Sequence, residues 1–233
     1  MNYFKISGAI FSFLVLFTDL SAQVNTSTKD KDSGTLIRIL CVRSLIENDQ
    51  IILATKTEDG DWREHEELTL RSPFITDWTK VPKGTVHLTR KAGEQLTSVG
   101  SFNTAQNLKR AILVLRPDQK ENMYRATKID PKKLDFANGK ALVINYSKTP
   151  AIVKLGGKQF SVKPGQKIVE RMQTEDDRMF RMLVGYRDES QKIIPCYDRY
   201  VSGNPKTRKF LLLFPDPSSR IRVFSLSEFG PFE

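Results

Sequence analysis

Two stretches of this chain nearly repeat one another, and a chain built from a repeated strand–turn–strand unit has few ways to fold. Arg110-Ala111-Ile112-Leu113-Val114-Leu115-Arg116-Pro117-Asp118 is echoed by Arg208-Lys209-Phe210-Leu211-Leu212-Leu213-Phe214-Pro215-Asp216. Each copy runs from basic residues through a short apolar run to Pro-Asp. Each is followed by a second extended stretch, Tyr124-Arg125-Ala126-Thr127-Lys128-Ile129 and Ile221-Arg222-Val223-Phe224-Ser225-Leu226. Self-similarity of this kind is the signature of a supersecondary unit used more than once.

Further matches fall in the same order. Lys140-Ala141-Leu142-Val143-Ile144-Asn145-Tyr146 answers Leu36-Ile37-Arg38-Ile39-Leu40-Cys41-Val42, and Ala151-Ile152-Val153-Lys154-Leu155 answers Ile51-Ile52-Leu53-Ala54. The stretch 162–169 answers 81–88 around a Pro/Gly turn. The spacing between copies is 98 residues at Pro-Asp and 81 at that turn, which places extra residues at 62–78 in the first copy and 180–200 in the second. Short apolar strands separated by Gly, Pro, Asn and Asp turns predict an all-β protein. The expected architecture is two similar immunoglobulin-like β-sandwich lobes in tandem, 36–133 and 134–233. Gly156-Gly157 predicts a tight hairpin. The best helical candidate is a turn or two at 61–70, with Trp62, Glu66 and Thr69 on one side.

Residues 1–22 have the parts of a secretory signal: Lys5, an apolar run from Ala9 to Phe17, and small residues ending at Ala22. The run is too short to span a bilayer, which takes about 20 residues as a helix. Residues 23–35 are polar and aperiodic and read as a flexible leader. Cleavage after Ala22 is the expected processing, giving a periplasmic or secreted protein with no transmembrane segment in the mature chain. The net charge of +10 is spread over both halves, with 19 basic and 15 acidic residues in 23–134 and 17 and 11 in 135–233. No dense basic block occurs. That describes a solvated surface, or one weakly attractive to anionic polymer; nucleic acid is disfavoured as a partner by export. Cys41 and Cys196 fall at non-equivalent places in the copies. In an oxidising compartment they could form a disulfide joining the lobes, or remain two buried thiols.

Turn residues carry a resemblance. Ile144-Asn145-Tyr146-Ser147-Lys148-Thr149-Pro150, a strand, Gly156-Gly157-Lys158, a strand, and Lys163-Pro164-Gly165-Gln166 together resemble small tandem β-sandwich modules of uncharacterised secreted bacterial proteins. The match covers 140–169. It implies a sandwich and an envelope or surface location, and brings no catalytic residues. Leu20-Ser21-Ala22-Gln23 resembles signal cut sites of Gram-negative bacteria.

Catalytic patterns are sparse. His65, inside Glu64-His65-Glu66-Glu67, lacks the second His of the metalloprotease motif and reads as a charged turn. His87 alternates with Val86 and Leu88 and reads as pointing outward from a strand. No Gly-x-Ser-x-Gly elbow occurs, and nothing around Cys196 marks a nucleophile's partner. Asp59, Asp61, Asp176 and Asp177 could pair for glycoside hydrolysis, whose geometry is a separation in space. Asp118 and Asp216, equivalent in the two copies, read as turn residues.

The sequence therefore favours a non-catalytic exported binding or structural protein of the bacterial cell envelope, with no cofactor, metal or catalytic residue assigned. An envelope protein, an anionic polymer or a glycan is the expected partner. The alternatives are an envelope hydrolase with carboxylate chemistry and an extracellular glycan-binding module. Tyr and Arg are favoured at binding surfaces, and loops on a rigid scaffold tend to carry function. Tyr197, Arg199 and Tyr200 are thus the first candidates for contact, with Trp62 and Trp78 as the second.

Overall fold

The computed structural model describes residues 34–104, 107–172, 179–218 and 220–230. The signal, nearly all of the leader, Asp176 and Asp177 lie outside the described residues.

Seventeen strands and no helix make up the described chain. The first nine are β1 (Thr35–Cys41), β2 (Asp49–Lys56), β3 (Trp62–Leu70), β4 (Phe74–Ile75), β5 (Thr79–Val81), β6 (Gly84–Ala92), β7 (Gln95–Thr104), β8 (Arg110–Asp118) and β9 (Met123–Ile129). They form two sheets, ordered β4-β1-β8-β9, with β5 also on β1, and β3-β2-β6-β7. The remaining eight are β10 (Lys140–Asn145), β11 (Ala151–Leu155), β12 (Lys158–Val162), β13 (Lys167–Arg171), β14 (Met179–Arg187), β15 (Ile193–Ser202), β16 (Thr207–Asp216) and β17 (Arg220–Phe229). Their sheets are β13-β10-β16-β17 and β12-β11-β14-β15. The two sets share one strand order. In each, the first and penultimate strands pair in parallel, with Cys41 opposite Leu115 and Asn145 opposite Leu213. In each, a bulge interrupts the last pairing of the outer sheet, β6 with β7 and β14 with β15, at the same place, so that Val99 in β7 and Cys196 in β15 fall between register partners.

Burial explains why the repeat reads as it does. Ile37, Ile39, Leu113 and Leu115 face β2 and β6 in one core, and Val143, Leu211 and Leu213 face β11 and β14 in a second. The alternate residues of these inner strands, Leu40, Ile112, Val114, Leu142, Ile144, Phe210 and Leu212, meet in a third core. The two β8-type sheets therefore pack on one another, and the molecule is four sheets deep. A strand buried on both faces reads as a continuous apolar run, which is what Ala111–Leu115 and Phe210–Leu213 are.

Sequence reading and structure part company in two places. The 61–70 segment is the edge strand β3, not a helical turn, and Glu64-His65-Glu66-Glu67 lies within it rather than in a turn. A bulge at His65, where Leu53 pairs with Glu66 and Ala54 with Glu64, shifts its alternation. The covered positions then fall at Trp62, His65, Leu68 and Leu70, and the first three carry a spacing of three that imitates a helix. Charged side chains on a sheet edge also discourage unwanted strand pairing. The segment 180–200 is no insertion: it is the β14–β15 hairpin, the counterpart of β6–β7, with strands of the same lengths. Turn chemistry misled the alignment, because Val81-Pro82-Lys83-Gly84 and Val162-Lys163-Pro164-Gly165 are similar turns at different points of the topology. By pairing, the counterpart of β5 is β13. The extra residues at 62–78 are real, since β3 is longer than β12 and β4 and β5 together replace the single strand β13.

The two-residue hairpin at Gly156-Gly157 forms as expected, with Gly156 at φ +60°. Cys41 is buried in the first outer core and Cys196 packs against the other, and no disulfide joins them in this structure. Burial, with Asp49 nearby, pushes the Cys41 thiol up to about 12, and burial also raises Cys196. Neither is poised as a thiolate nucleophile.

Candidate functional site

The stacking of the inner sheets leaves a cleft at one end of their seam. Its volume is about 1110 Å³, against about 410 and 430 Å³ for two smaller cavities elsewhere. Three parts of the chain wall it: Trp78 before β5, residues Asn107 to Arg110 leading into β8, and the connection from Asp130 to Asn138 between the lobes.

The floor is charged. Arg208, the basic start of the second repeat copy, is 1% exposed. Its Nε donates to Glu228 Oε2 at 2.5 Å and its Nη1 to the Phe136 carbonyl at 3.4 Å. The other oxygen of Glu228 takes the guanidinium of Arg38 from the first lobe. Glu228 thus ties β1 to β16 across the seam, holding two cations with one anion. Burial pulls the Arg208 pKa below its ordinary value, the Glu228 carboxylate opposes this, and Arg38 and Arg110 add to the depression. Those last two causes record three guanidiniums converging on one end of the seam. A buried ion group of this kind comes near to breaking even. The nine buried apolar residues of the third core contribute on the order of 1.5–3 kcal/mol each as an upper bound. Apolar contact therefore holds the lobes together, and the ions fix how they meet.

Trp78 is positioned by the insertion of the first copy. Between β4 and β5 the chain departs from the edge of β1 for the length of Thr76 to Trp78. Thr76 keeps contact, donating its N–H to the Ile39 carbonyl at 2.9 Å and accepting the Ile39 N–H on Oγ1 at 3.0 Å. Arg38 donates Nε to the Thr76 carbonyl at 2.9 Å. The Arg38 and Arg110 guanidiniums lie 5.3 and 5.5 Å from the Trp78 ring centroid, within cation–π range.

The opposite wall is a tight turn. Asp130 accepts the Lys133 N–H on Oδ1 at 3.0 Å and the Leu134 N–H on its carbonyl at 3.1 Å. Phe136, 2% exposed, is the anchor, its ring edge-on to Phe210 at 5.0 Å. With Phe136 tucked in, Lys132, Lys133 and Asn138 are left exposed on the rim. The lining holds five basic side chains, Lys109, Arg110, Lys132, Lys133 and Arg208, against two carboxylates. Both carboxylates are engaged locally, Asp130 in its turn and Asp135 with Lys140. The cleft is accordingly a cationic site.

The sequence-nominated residues fall in three separate places. Trp78 lines the cleft. Trp62 stands on the far outer sheet, with His87 edge-on at 5.1 Å and the Lys56 ammonium 5.1 Å from its centroid. Tyr197, Arg199 and Tyr200 are on the edge strand β15, and they do not share a face. Tyr197 and Arg199 pair with the core-facing Val184 and Met182, whereas Tyr200 pairs with Arg181 and is 67% exposed. Arg181 forks onto Asp198 beside it at 2.7 and 2.5 Å. His87 does point outward as expected, and burial followed by Lys56 holds it below its ordinary pKa. Asp59 and Asp61 sit in the exposed β2–β3 turn. Asp118 and Asp216 are turn residues, receiving Nε of Arg125 at 2.8 Å and of Arg222 at 2.9 Å. Among the described residues no group of three His, Cys, Asp or Glu side chains could hold a metal ion, and no helix is long and apolar enough to cross a membrane.

Sequence reasoning missed Lys109, Lys132, Lys133, Phe136 and Asn138. Two signals pointed to them: each repeat copy opens on basic residues, and the segment joining the copies carries the Lys132-Lys133 pair directly after Pro131.

No family model matches this chain, and no curated protein matches it. Among solved structures it is similar to a "putative cell adhesion protein" from Bacteroides uniformis ATCC 8492, at 7% identity over 86% of this chain and 99% of that chain, with a TM-score of 0.24. A likeness at that TM-score carries no argument about fold, ligand or partner.

Proposed function

We propose that this is a non-catalytic binding protein of the bacterial cell envelope, exported by its N-terminal signal, which holds an anionic partner in the cleft between its two sandwiches. The observation that carries this reading is the composition of that cleft: Lys109, Arg110, Lys132 and Lys133 beside the Trp78 ring, against two lining carboxylates that are each bonded within local structure. Concave sites with a few convergent polar groups are the default places for ligands. The sandwiches supply rigidity, and the segments 76–78, 107–109 and 130–138 between their strands supply most of the contacts. The double variant Lys132→Ala/Lys133→Ala removes two exposed cations without touching a core.

Fractionation of cells expressing the full chain, followed by pull-down from envelope extract, tests the reading. The parent should be found outside the cytoplasm, shortened at its N-terminus, and should retain envelope material that the folded double variant retains poorly. Cytoplasmic retention of the intact chain, or equal capture by both proteins, would sink it.

A further inference from the structure

Resting on the reading of the cleft as a binding site, we infer that its ligand is an anionic oligosaccharide, a short run of sugars carrying carboxylate or sulfate groups. Size is the first argument. About 1110 Å³ lies just above the range of about 300–1,000 Å³ that small-molecule sites span and far exceeds a lone phosphate or sulfate. Charge placement is the second. Lys109 and Arg110 come from one wall and Lys132 and Lys133 from the other, whereas Arg208 on the floor is buried against Glu228. A chain with an anionic group on successive units could reach several of these groups.

The other lining groups fit sugars. Asn107 and Asn138 bring amides able both to donate to and accept from hydroxyls. Trp78 brings apolar surface. The planar guanidinium of Arg110, set against Trp78, suits bidentate contact with a carboxylate or sulfate. Competing occupants fit less well. A membrane surface is flat, and these groups line a concavity. A peptide that adds as a strand needs a free sheet edge, and the walls here are the connections 107–109 and 130–138, not an edge.

Titration calorimetry on the folded mature protein tests this, with five probes: a uronate tetrasaccharide, a sulfated tetrasaccharide, an uncharged tetrasaccharide of the same backbone, inorganic sulfate, and an oligoglutamate peptide. One of the two charged sugars should bind, and whichever is tighter identifies the anionic group. The uncharged sugar and free sulfate should bind at least about 10-fold more weakly, since charge-assisted contacts are the strong ones. Raising salt from about 0.05 to 0.5 M should weaken binding markedly. Lys132→Ala/Lys133→Ala should weaken it by about 10-fold or more, and Trp78→Phe should weaken it less. As a control, Lys56→Ala on the distant outer sheet should leave it unchanged.

Tighter binding of oligoglutamate than of either charged sugar would overturn the oligosaccharide assignment, and equal binding of charged and uncharged sugars would overturn its anionic part. If no probe binds while the parent still captures envelope material that the double variant does not, the ligand class is wrong and the binding function stands. If no probe binds and capture is also equal, both readings fall.

Discussion

The two sandwiches share a strand order but solve one local problem differently. After its first strand each lobe must turn the chain over the end of a buried core, where unpaired backbone groups are costly. The second lobe uses Asn145, which is fully buried. Its Nδ2 donates to the carbonyls of Thr149 and Val162, both at 2.9 Å, and its Oδ1 accepts the Ser147 N–H at 2.9 Å. In the first lobe the equivalent register position is Cys41, which can do none of this. There the task passes to Tyr124, Asp49 and Arg90. Tyr124 accepts the Leu45 N–H at 2.8 Å and donates to Asp49 Oδ2 at 2.7 Å, and Arg90 clamps the same carboxylate at 2.9 and 2.6 Å. In the second core, Ile221 stands where Tyr124 stands in the first. The topology fixes that a polar pin is needed at this point, and leaves open which residues make it.

The comparison predicts unequal costs. Asp49→Ala strands a buried phenol and a part-buried guanidinium, and removing one partner of a buried ion pair costs about 3–5 kcal/mol. Chemical denaturation should show the largest loss for this variant, and a loss under about 1 kcal/mol would mean Asp49 is not the pin of the first lobe. Asn145→Ala is next. It frees neutral groups only, at about 1–3 kcal/mol for an unsatisfied buried group, so it should fall below Asp49→Ala in the same assay. The reverse order would break the comparison.

The smallest effect lies at the repeated Pro-Asp turns, and it depends on pH. The hydrogen bond from Arg125 holds the Asp118 carboxyl below its ordinary pKa; desolvation opposes this, and the Glu121 and Lys120 N–H groups and the Arg125 charge add to it. A depressed folded-state pKa gives stability that is present above the unfolded value and is lost as pH falls through the folded one. Asp118→Asn should therefore lower the thermal midpoint slightly at about pH 7 and have no effect once the parent carboxylate is protonated at about pH 2. A difference that persists undiminished in acid would assign the effect to shape, not charge.

Several of these elements were legible beforehand. The apolar runs of the inner strands, the Gly156-Gly157 hairpin and the extra residues before Trp78 follow from local pattern. The conserved role of Asp118 and Asp216 as turn residues followed from the repeat itself. His65 was not legible, because a bulge is defined by the partner strand, and its spacing of three imitates a helix. Nor was the β14–β15 hairpin recognised as a repeated unit, because similar turn residues sit at topologically different points of the two copies. Of the five nominated contact residues, Trp78 reaches the cleft because its insertion lies beside β1. Tyr197, Arg199 and Tyr200 are split between two faces by the alternation of one strand.

What the sequence by itself determined is the repeated all-β pattern. Apolar periodicity and turn chemistry act over a few residues, so they can be read in order along the chain. What only the tertiary structure decided is the back-to-back packing of the inner sheets and the cleft that results. Leu40, Ile112, Leu142 and Phe210 have no local reason to meet, nor do Arg38 and Glu228 at opposite ends of the chain. They meet because inner strands with two apolar faces must cover both, and the second face of each lobe finds its cover only in the other lobe.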